Sequence, residues 1–239
     1  MSSPDPSALT AVAQDYLKVI WTAGEWSQAP VTTKMLAERL GVGPSTVSET
    51  VRRLADQGLV THAPYAAIEL TPDGAAHALA MVRRHRLIET FLVSVLGYGW
   101  DEVHDEAEVL EHAVSDLMVD RIDERLGFPT RDPHGDPIPT RDGQVPTPAA
   151  RVLWELAEGE WVVARIADSD PDLLRYLESV GLVLDARVEV AERRHVAGVT
   201  AVRVRPPTGE PGEQAEPERH RPVELGEKAA SAIWLVPAG

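Results

Sequence analysis

The segment HDEAEVLEHAVSD, residues 104–116, combines two histidines and five carboxylates and holds no lysine or arginine. If the segment is helical, His104, Glu108, Glu111 and His112 fall at positions i, i+4, i+7 and i+8 and form one stripe. Anionic side chains beside an apolar seam repel one another unless a cation lies among them. Because no basic side chain is local, the pattern favours a metal ion from solution over a solvated acidic face.

The available donor types restrict the metal. The chain contains no cysteine, which excludes disulfides and thiolate ligands. Carboxylate oxygens combined with imidazole nitrogen suit Mn(II) or Fe(II) better than copper or a structural zinc. A further histidine and carboxylate, His85 and Glu89, are four residues apart in a predicted helix and share a face.

Other acidic and histidine residues receive a simpler interpretation. Five carboxylates of the acidic region are interpreted as solvated: Asp105, Glu106, Asp116, Asp120 and Asp123. Five histidines in a wing, a helix start and loops are interpreted as incidental: His62, His77, His134, His195 and His220. The chain shows no nucleophile motif, no glycine-rich phosphate loop and no H-E-x-x-H pattern, so an enzyme is not expected.

The distribution of charge indicates which part of the chain can face DNA. The net charge of -15 argues against a nucleic-acid partner for the chain as a whole. Residues 101–124, however, hold ten acidic side chains and one basic side chain, whereas residues 1–100 hold nine acidic and eight basic ones. The first hundred residues are therefore close to neutral and remain compatible with DNA binding.

The elements at the start of the chain predict a winged helix-turn-helix. Apolar residues at helical spacing mark a first helix, with Thr10 among its candidate caps: Val12, Tyr16, Val19 and Ile20. Two short helices follow on either side of the break GVGPS, with apolar Leu36, Ala37 and Leu40 before it and Val47, Val51 and Leu54 after it. LVTHA and IELT then flank PYAA as a β-hairpin, the wing.

The second of these short helices has a polar and partly cationic outer face, which predicts insertion into a DNA major groove. The residues expected to contact DNA are Thr33, Lys34, Gly43, Ser45, Thr46, Ser48, Glu49, Arg52 and Arg53. A helical pair used only for packing or protein contact is the alternative. The modest positive charge of this region indicates that two copies are needed for tight binding.

The rest of the chain is predicted to hold two further domains. A long helix within residues 71–98 and a single helix within residues 100–128 carry the metal-binding residues. After a proline-rich linker, residues 130–148, four β-branched segments around one helix predict a small all-β barrel, with a mobile loop at residues 206–222. The fold class is thus mainly α with small β parts, with domains at residues 1–74, 75–141 and 142–239. No membrane-spanning segment or secretion signal is recognised, so a cytoplasmic protein is expected.

Several motifs, GPSTVSETVRRLADQGLV, MVRRHRLIETFL, and DEVHDEAEVLEHAVSD followed by DPHGDPIP, resemble the diphtheria-toxin-repressor family of metal-dependent regulators. The resemblance covers nearly the whole chain. It implies a winged helix-turn-helix, a helical metal-binding and dimerisation domain, and an SH3-like C-terminal domain.

The resemblance also implies the ligands of two metal sites. The primary site would comprise Asp15, Glu108, Glu111 and His112. The second would comprise His85, Glu89 and His104. A loop of the C-terminal domain would add an oxygen from Asp168, or from Asp170 nearby. The other loop position that matches a family ligand is Arg165, which cannot bind a cation. Iron-responsive members carry methionine and cysteine where this chain has Asp15 and Glu108, which resembles the manganese transport regulators. Lys18 stands where some manganese regulators have a glutamate, which favours a separate second site over a two-metal cluster.

The function implied is a dimeric repressor that binds a palindromic operator when Mn(II) is present and controls manganese uptake or homeostasis genes, with no membrane or small organic partner. In this hypothesis, carboxylates of the first helix and of the second domain repel one another until metal joins them. Three alternatives remain: an Fe(II)-dependent repressor of the same family, a helical di-metal carboxylate enzyme or storage protein, and a winged-helix repressor that answers an organic ligand.

Overall fold

A computed structural model describes residues 9–63, 66–194, 197–205 and 222–238. The chain forms two compact units. The first contains residues up to Ile88, Glu108–Phe128 and Ile138–Val145, and the second contains Glu89–Ala107, Pro129–Pro137 and residues from Pro146 onward. The helices are α1 (Ala11–Glu25), α2 (Thr33–Leu40), α3 (Pro44–Asp56), α4 (Pro72–Phe91), α5 (Val103–Leu110), α6 (Asp116–Leu126), α7 (Pro171–Ser179) and α8 (Glu227–Ala230). The strands are β1 (Val60–Thr61), β2 (Glu69–Leu70), β3 (Arg151–Val152), β4 (Gly159–Ile166), β5 (Arg187–Arg194), β6 (Val199–Arg205), β7 (Val223–Gly226) and β8 (Ile233–Pro237).

The first three helices form around local signals in the sequence. The Thr10 side chain accepts a hydrogen bond from the backbone of Ala13 and caps α1. Gly41 ends α2 in the left-handed conformation, and Pro44 begins α3. Their shared core includes Tyr16, Leu17, Ile20, Leu36, Val47, Val51 and Leu54. The predicted first helix is present as α1, in which Val12 is exposed and Leu17 is buried.

The wing is an antiparallel pair of two-residue strands in which Val60 pairs with Leu70 and Thr61 with Glu69. This confirms the predicted hairpin strands, while residues 64 and 65 of the predicted turn lie outside the described residues. Helix α4 begins directly after the wing. A side chain at Gly74 would bring a Cβ atom within 1.9 Å of the carbonyl oxygen of Leu59, so this close approach requires glycine.

The acidic region forms two helices, and the prediction of one continuous helix is wrong. Helix α5 ends at Leu110, and α6 begins behind Ser115, whose side chain accepts a hydrogen bond from the backbone of Met118. The Arg84 guanidinium donates to the carbonyl oxygens of Glu111 and Val114 in the intervening turn. Because these carbonyls have a side-chain donor, the chain can leave the helix at this point.

The second unit is built on a six-stranded antiparallel sheet in the order β3-β8-β4-β5-β6-β7. Its core includes Leu153, Val163, Ile166, Leu174, Leu177, Val188, Val202, Leu225, Ile233 and Leu235. The predicted small β domain and its helix α7 are confirmed, and the short α8 is present in addition. A closed barrel is not formed: within the described strands, β3 and β7 remain the two edges. The predicted mobile loop lies outside the described residues except for Pro222.

Across the described segments, every helix falls short of the length and apolar character required to cross a membrane.

Candidate metal centre

A cluster of donor atoms in the first unit joins α1 to the turn after α5. Nε2 of His112 lies 2.8 Å from Oδ1 of Asp15 and 3.5 Å from Oε1 of Glu111. One donor atom from each of these three residues lies within 4.8 Å of the other two. Three of the four ligands predicted for the primary site therefore come together, from segments almost one hundred residues apart in sequence.

Lys18, one turn after Asp15 on α1, reaches into the same cluster. Its Nζ atom lies 2.7 Å from Oε1 of Glu108 and 2.5 Å from Oε1 of Glu111. Lys18 is 6% exposed and Glu111 is 1% exposed, so this is a buried ion pair. The inference that these carboxylates lack a protein cation is wrong, because the cation comes from a distant segment. The same contact revises the hypothesis that they repel one another until metal arrives.

His85 also contacts the first cluster. Its Nδ1 atom lies 2.5 Å from Oε2 of Glu111 and 4.0 Å from Oε1 of Glu108. The resemblance had assigned His85 to the second site beside Glu89 and His104. His85 belongs to the first unit, whereas Glu89 and His104 belong to the second. These contacts place His85 beside two of the predicted primary ligands, and its assignment to the second site stays a prediction.

Gln14, which no sequence motif marks as functional, orients His112. Its Oε1 atom lies 2.8 Å from Nδ1 of His112. With the amide oxygen accepting, Nδ1 carries a ring proton, and Nε2 is the nitrogen that faces Asp15. Such a partner fixes the tautomer of a metal-binding histidine. The available sequence signal was the position of Gln14 directly before Asp15.

The electrostatics of the cluster follow from burial and mutual contact. Burial acts to raise the pKa of Glu111, but the hydrogen bond and charge of His85, together with Lys18, lower it overall. Burial acts to lower the pKa of Lys18, yet the charges of Glu111 and Glu108 raise it. Burial raises the pKa of Asp15 despite the opposing effects of His112 and Lys18. The site thus stabilises ionised Glu111 and protonated Lys18.

The remaining acidic residues divide into solvated and paired groups. Asp105 and Glu106 are exposed, in agreement with the prediction. For Asp123 the prediction is wrong, because this residue is buried and its Oδ2 atom lies 2.5 Å from Nη2 of Arg83. Asp116 pairs with Arg84 and Asp120 with Arg141.

A second cluster lies wholly within the second unit. One donor atom each from Glu89, His134 and Asp168 lies within 4.8 Å of the others. Nδ1 of His104 lies 3.2 Å from Oε1 of Glu89 and 3.5 Å from Oδ2 of Asp168. Three residues assigned to the second site are thus together, with His134 in addition. The interpretation of His134 as an incidental loop histidine is wrong, since it is fully buried.

The tautomer of His134 fits a cation. Its Nε2 atom lies 2.6 Å from the carbonyl oxygen of Trp100 and must carry the proton, because a carbonyl only accepts. Its Nδ1 atom is buried and has no hydrogen-bond partner among the described residues. Burial acts to lower the pKa of His134, but Asp132, Glu89 and Asp168 raise it. A basic nitrogen beside carboxylates is a suitable donor set for a divalent ion.

A tight turn within the predicted linker holds His134. Oδ1 of Asp132 accepts hydrogen bonds of 2.9 Å from the backbone nitrogens of His134 and Asp136. Gly135 has φ of +92°, and a Cβ atom there would lie 2.1 Å from the carbonyl oxygen of Ala164. The motif DPHGDP therefore carried a turn signal that the linker interpretation overlooked.

The loop residues near Asp168 have other partners. Nε of Arg165 lies 2.6 Å from Oδ1 of Asp136, and its guanidinium lies over the Trp234 ring. Asp170 accepts from the backbone of Leu173 as the N-cap of α7 and pairs with Lys228. Asp168, not Asp170, is thus the aspartate that joins the cluster.

The outer face of α3 is polar and accessible. The predicted DNA contacts of this helix are all exposed: Ser45, Thr46, Ser48, Glu49, Arg52 and Arg53. Lys34 on α2 and Gly43 before α3 are exposed as well, and Thr33 is half-buried. On the opposite face, Val47, Val51 and Leu54 are buried. This arrangement presents a hydroxyl-rich helix face with two solvent-exposed arginines, of the kind that can meet a nucleic acid.

Three family profiles match successive parts of the chain. The iron dependent repressor N-terminal DNA binding domain matches residues 8–68, the iron dependent repressor metal binding and dimerisation domain matches residues 71–140, and the FeoA domain matches residues 153–237.

Curated relatives and solved structures agree with these profiles. The iron-dependent repressor IdeR of Mycobacterium bovis is 37% identical over 207 residues, which is 81% of this chain and 89% of the relative. The diphtheria toxin repressor of Corynebacterium glutamicum is 35% identical over 188 residues, 76% of this chain and 82% of the relative. A manganese-dependent transcriptional repressor in complex with manganese aligns with a TM-score of 0.86 at 59% identity, over 95% of this chain and 100% of that one.

A structure of the manganese regulator SloR aligns with a TM-score of 0.74 at 32% identity, over 95% of this chain and 98% of that one. The chain therefore belongs to the iron-dependent repressor family that includes the diphtheria toxin repressors, a family of DNA-binding transcriptional regulators and not of enzymes.

Proposed function

We propose that this protein is a manganese-dependent transcriptional repressor that binds a palindromic operator as a homodimer and controls genes of manganese uptake or homeostasis. The observation that carries the proposal is the meeting of Asp15, on α1, with Glu111 and His112. Similarity to manganese-dependent repressors at 59% and 52% identity supports the choice of metal. An operator as partner implies a cytoplasmic protein.

The donor chemistry favours manganese within the family. The first cluster offers the carboxylates of Asp15 and Glu111 and the imidazole of His112, Glu108 is joined to it through Lys18, and none of these residues carries sulfur. Hard oxygen donors suit Mn(II), which stands at the weak end of the divalent affinity order. A divalent ion held there would bind donors from both α1 and the turn after α5. The Fe(II)-dependent alternative keeps support from the iron-dependent relatives.

The chain's own residues can transmit this linkage to DNA. Asp15 lies on α1, which shares a core with α2 and α3 through Tyr16 and Leu17. Fixing Asp15 against Glu111 therefore restricts the motion of the recognition helix α3. In a two-fold dimer, the same restriction sets the separation of the two α3 helices, which must match half-sites about one or two helical turns apart.

Exposed apolar residues provide a surface for the dimer. Within residues 109–128, four large apolar residues are between 48% and 70% exposed: Val109, Leu117, Met118 and Phe128. This region falls within the match to the metal binding and dimerisation domain. Exposed large apolar side chains within a dimerisation domain are expected at the interface between two copies. We therefore assign this surface to the second copy of the chain.

The second cluster is proposed as a separate metal site. Glu89, His104, His134 and Asp168 would hold the ion, with Nδ1 of His134 as the nitrogen prepared for it. All four residues belong to the second unit. We retain the three-domain division at residues 1–74, 75–141 and 142–239 as a proposal.

The proposal is tested by selecting duplex DNA from a random pool with the full-length protein in MnCl₂ and then measuring the selected sequence by fluorescence anisotropy. Addition of EDTA should abolish specific binding, and Mn(II) should restore it. A variant with Asp15→Asn and Glu111→Gln should bind weakly in both conditions, whereas the exposed Glu106→Gln variant should behave as wild type. Equally tight specific binding with and without chelator would remove the metal from the function.

A further inference from the structure

We infer that Lys18 is an internal cation that competes with the activating metal for Glu108 and Glu111 and thereby raises the metal concentration at which the protein responds. This inference rests on the proposed metal-dependent function. It assigns a role to a residue whose side chain is no metal ligand but bonds two residues assigned as ligands.

The competition centres on one oxygen atom. Oε1 of Glu111 lies 2.5 Å from Nζ of Lys18, and the same Oε1 lies 3.5 Å from Nε2 of His112. The other oxygen of Glu111, Oε2, lies 2.5 Å from Nδ1 of His85. The Glu111 oxygen near Nε2 of His112 is thus the oxygen that Lys18 engages. A divalent ion in this cluster would therefore contact the same Glu111 oxygen as the Lys18 ammonium.

Sharing is unfavourable because both partners are cations in a buried site. Lys18 and Glu111 are nearly inaccessible to solvent, so the charges there are weakly screened. Two cations on one carboxylate oxygen would lie within a few ångströms of each other and repel strongly. The ammonium must therefore withdraw, at least from Glu111, for the metal to gain this donor. That displacement reduces the observed metal affinity.

The contact of Lys18 with Glu108 strengthens the effect. Nζ of Lys18 bonds Oε1 of Glu108 at 2.7 Å, so one ammonium engages two of the four predicted primary ligands. Lys18 and Asp15 lie three residues apart on α1 and share one face of the helix. The same helix thus carries a ligand for the metal and a competitor for it.

The inference predicts two effects of opposite sign when the charge of Lys18 is removed. Without the ammonium, buried Glu111 loses a partner, so the protein in chelator becomes less stable. Without the competitor, the metal binds more tightly. A lysine with a merely structural role would weaken both properties when replaced.

The test compares Lys18→Met, which keeps most of the apolar stem, with Lys18→Arg, which keeps the charge. All proteins are full-length and carry Glu89→Gln, so that binding at the second cluster is weakened. Calorimetric titration with MnCl₂ should show about tenfold tighter binding for Lys18→Met and less than about threefold change for Lys18→Arg. The thermal midpoint in EDTA should fall for Lys18→Met. Unchanged or weaker Mn(II) binding by folded Lys18→Met would overturn the inference.

A measurement on the unmodified chain covers the case in which Lys18→Met fails to fold. Amine acetylation followed by mass spectrometry should show Lys18 protected in EDTA and more reactive when MnCl₂ saturates the protein. Lys34, which is exposed on α2, serves as the internal control. Equal protection of Lys18 in both conditions would overturn the inference.

Neither measurement involves DNA, so the two ideas fail separately. Loss of manganese-dependent operator binding with the Lys18 results intact would refute the proposed function. Manganese-dependent operator binding with an inert Lys18 would refute the competition alone.

Discussion

Nδ1 of His85 lies 2.5 Å from Oε2 of Glu111, and this contact places a histidine of α4 beside the carboxylate that also binds Lys18. Glu111 is therefore bonded at both of its oxygens by groups on two helices, α1 and α4. A carboxylate in this position contributes to stability when ionised and cannot easily take a proton.

We expect this contact to appear in the pH dependence of stability. The pKa of Glu111 is lowered from its ordinary value of 4.5. The ionised carboxylate therefore contributes fully to the free energy of unfolding above pH 4.5, and this contribution is lost as the pH falls through the lowered pKa. In EDTA, the free energy of unfolding by urea should fall less steeply between about pH 5 and pH 3 for Glu111→Gln than for wild type. The exposed Glu106→Gln variant is the control. Parallel profiles for Glu111→Gln and wild type would show that this carboxylate is not coupled to folding.

Metal preference should follow the two carboxylates that replace softer ligands. Asp15→Met combined with Glu108→Cys introduces sulfur donors, which favour Fe(II) over Mn(II). The expected result is a shift of about tenfold or more in the Fe(II) to Mn(II) affinity ratio, measured anaerobically by competition with a metal indicator. Asp105→Asn with Glu106→Gln changes two exposed neighbours and should leave the ratio unchanged. An unaltered ratio in the Met and Cys variant would refute the manganese assignment of these positions.

Loss of His134 should remove one metal ion and leave the other. His134 has a donor atom beside Glu89 and Asp168, and its buried Nδ1 has no hydrogen-bond partner among the described residues, so His134→Asn should abolish the second site. Metal analysis after gel filtration in MnCl₂ should find about one fewer ion per chain. The exposed His62→Asn variant should retain the wild-type content. Asp15→Asn should instead remove the ion of the first cluster. Undiminished metal content in His134→Asn would exclude the second site.

DNA binding should depend on the arginines of α3 through their interaction with phosphates. Arg52→Ala combined with Arg53→Ala should reduce the slope of log affinity against log salt by about 0.9 for each phosphate that the arginines no longer neutralise. Anisotropy titrations of the selected operator at several salt concentrations measure this slope. Arg203→Ala, on β6 and paired with Glu189, is the matched control. An unchanged slope in the α3 variant would place the DNA surface elsewhere.

Local sequence patterns predict the helices and strands that form through short-range interactions. The apolar spacing of Val47, Val51 and Leu54 predicted the buried face of α3, and the break GVGPS predicted its start. The hairpin strands were likewise found from β-branched residues near a turn. Such signals succeed because helix periodicity and turn chemistry act over a few residues.

Long-range partners explain what the sequence did not reveal. Lys18 lies more than ninety positions from Glu111, so inspection of the acidic segment alone found no cation. His134 became buried because Asp132 and Gly135 form a turn against β4, although the surrounding prolines indicated a linker. The predicted single helix failed because the cap at Ser115 and the distant Arg84 together outweigh helical periodicity.

The guanidinium of Arg84 has a bearing on discrimination between ions. By bonding the carbonyls of Glu111 and Val114 and the carboxylate of Asp116, it gives the turn between α5 and α6 a shape set by the fold itself. An ion whose preferred metal–ligand distances do not fit this turn must deform it, whereas an ion whose distances fit need not. Loss of the Arg84 hydrogen bonds would therefore reduce selectivity among similar ions more than it would reduce the affinity for all of them.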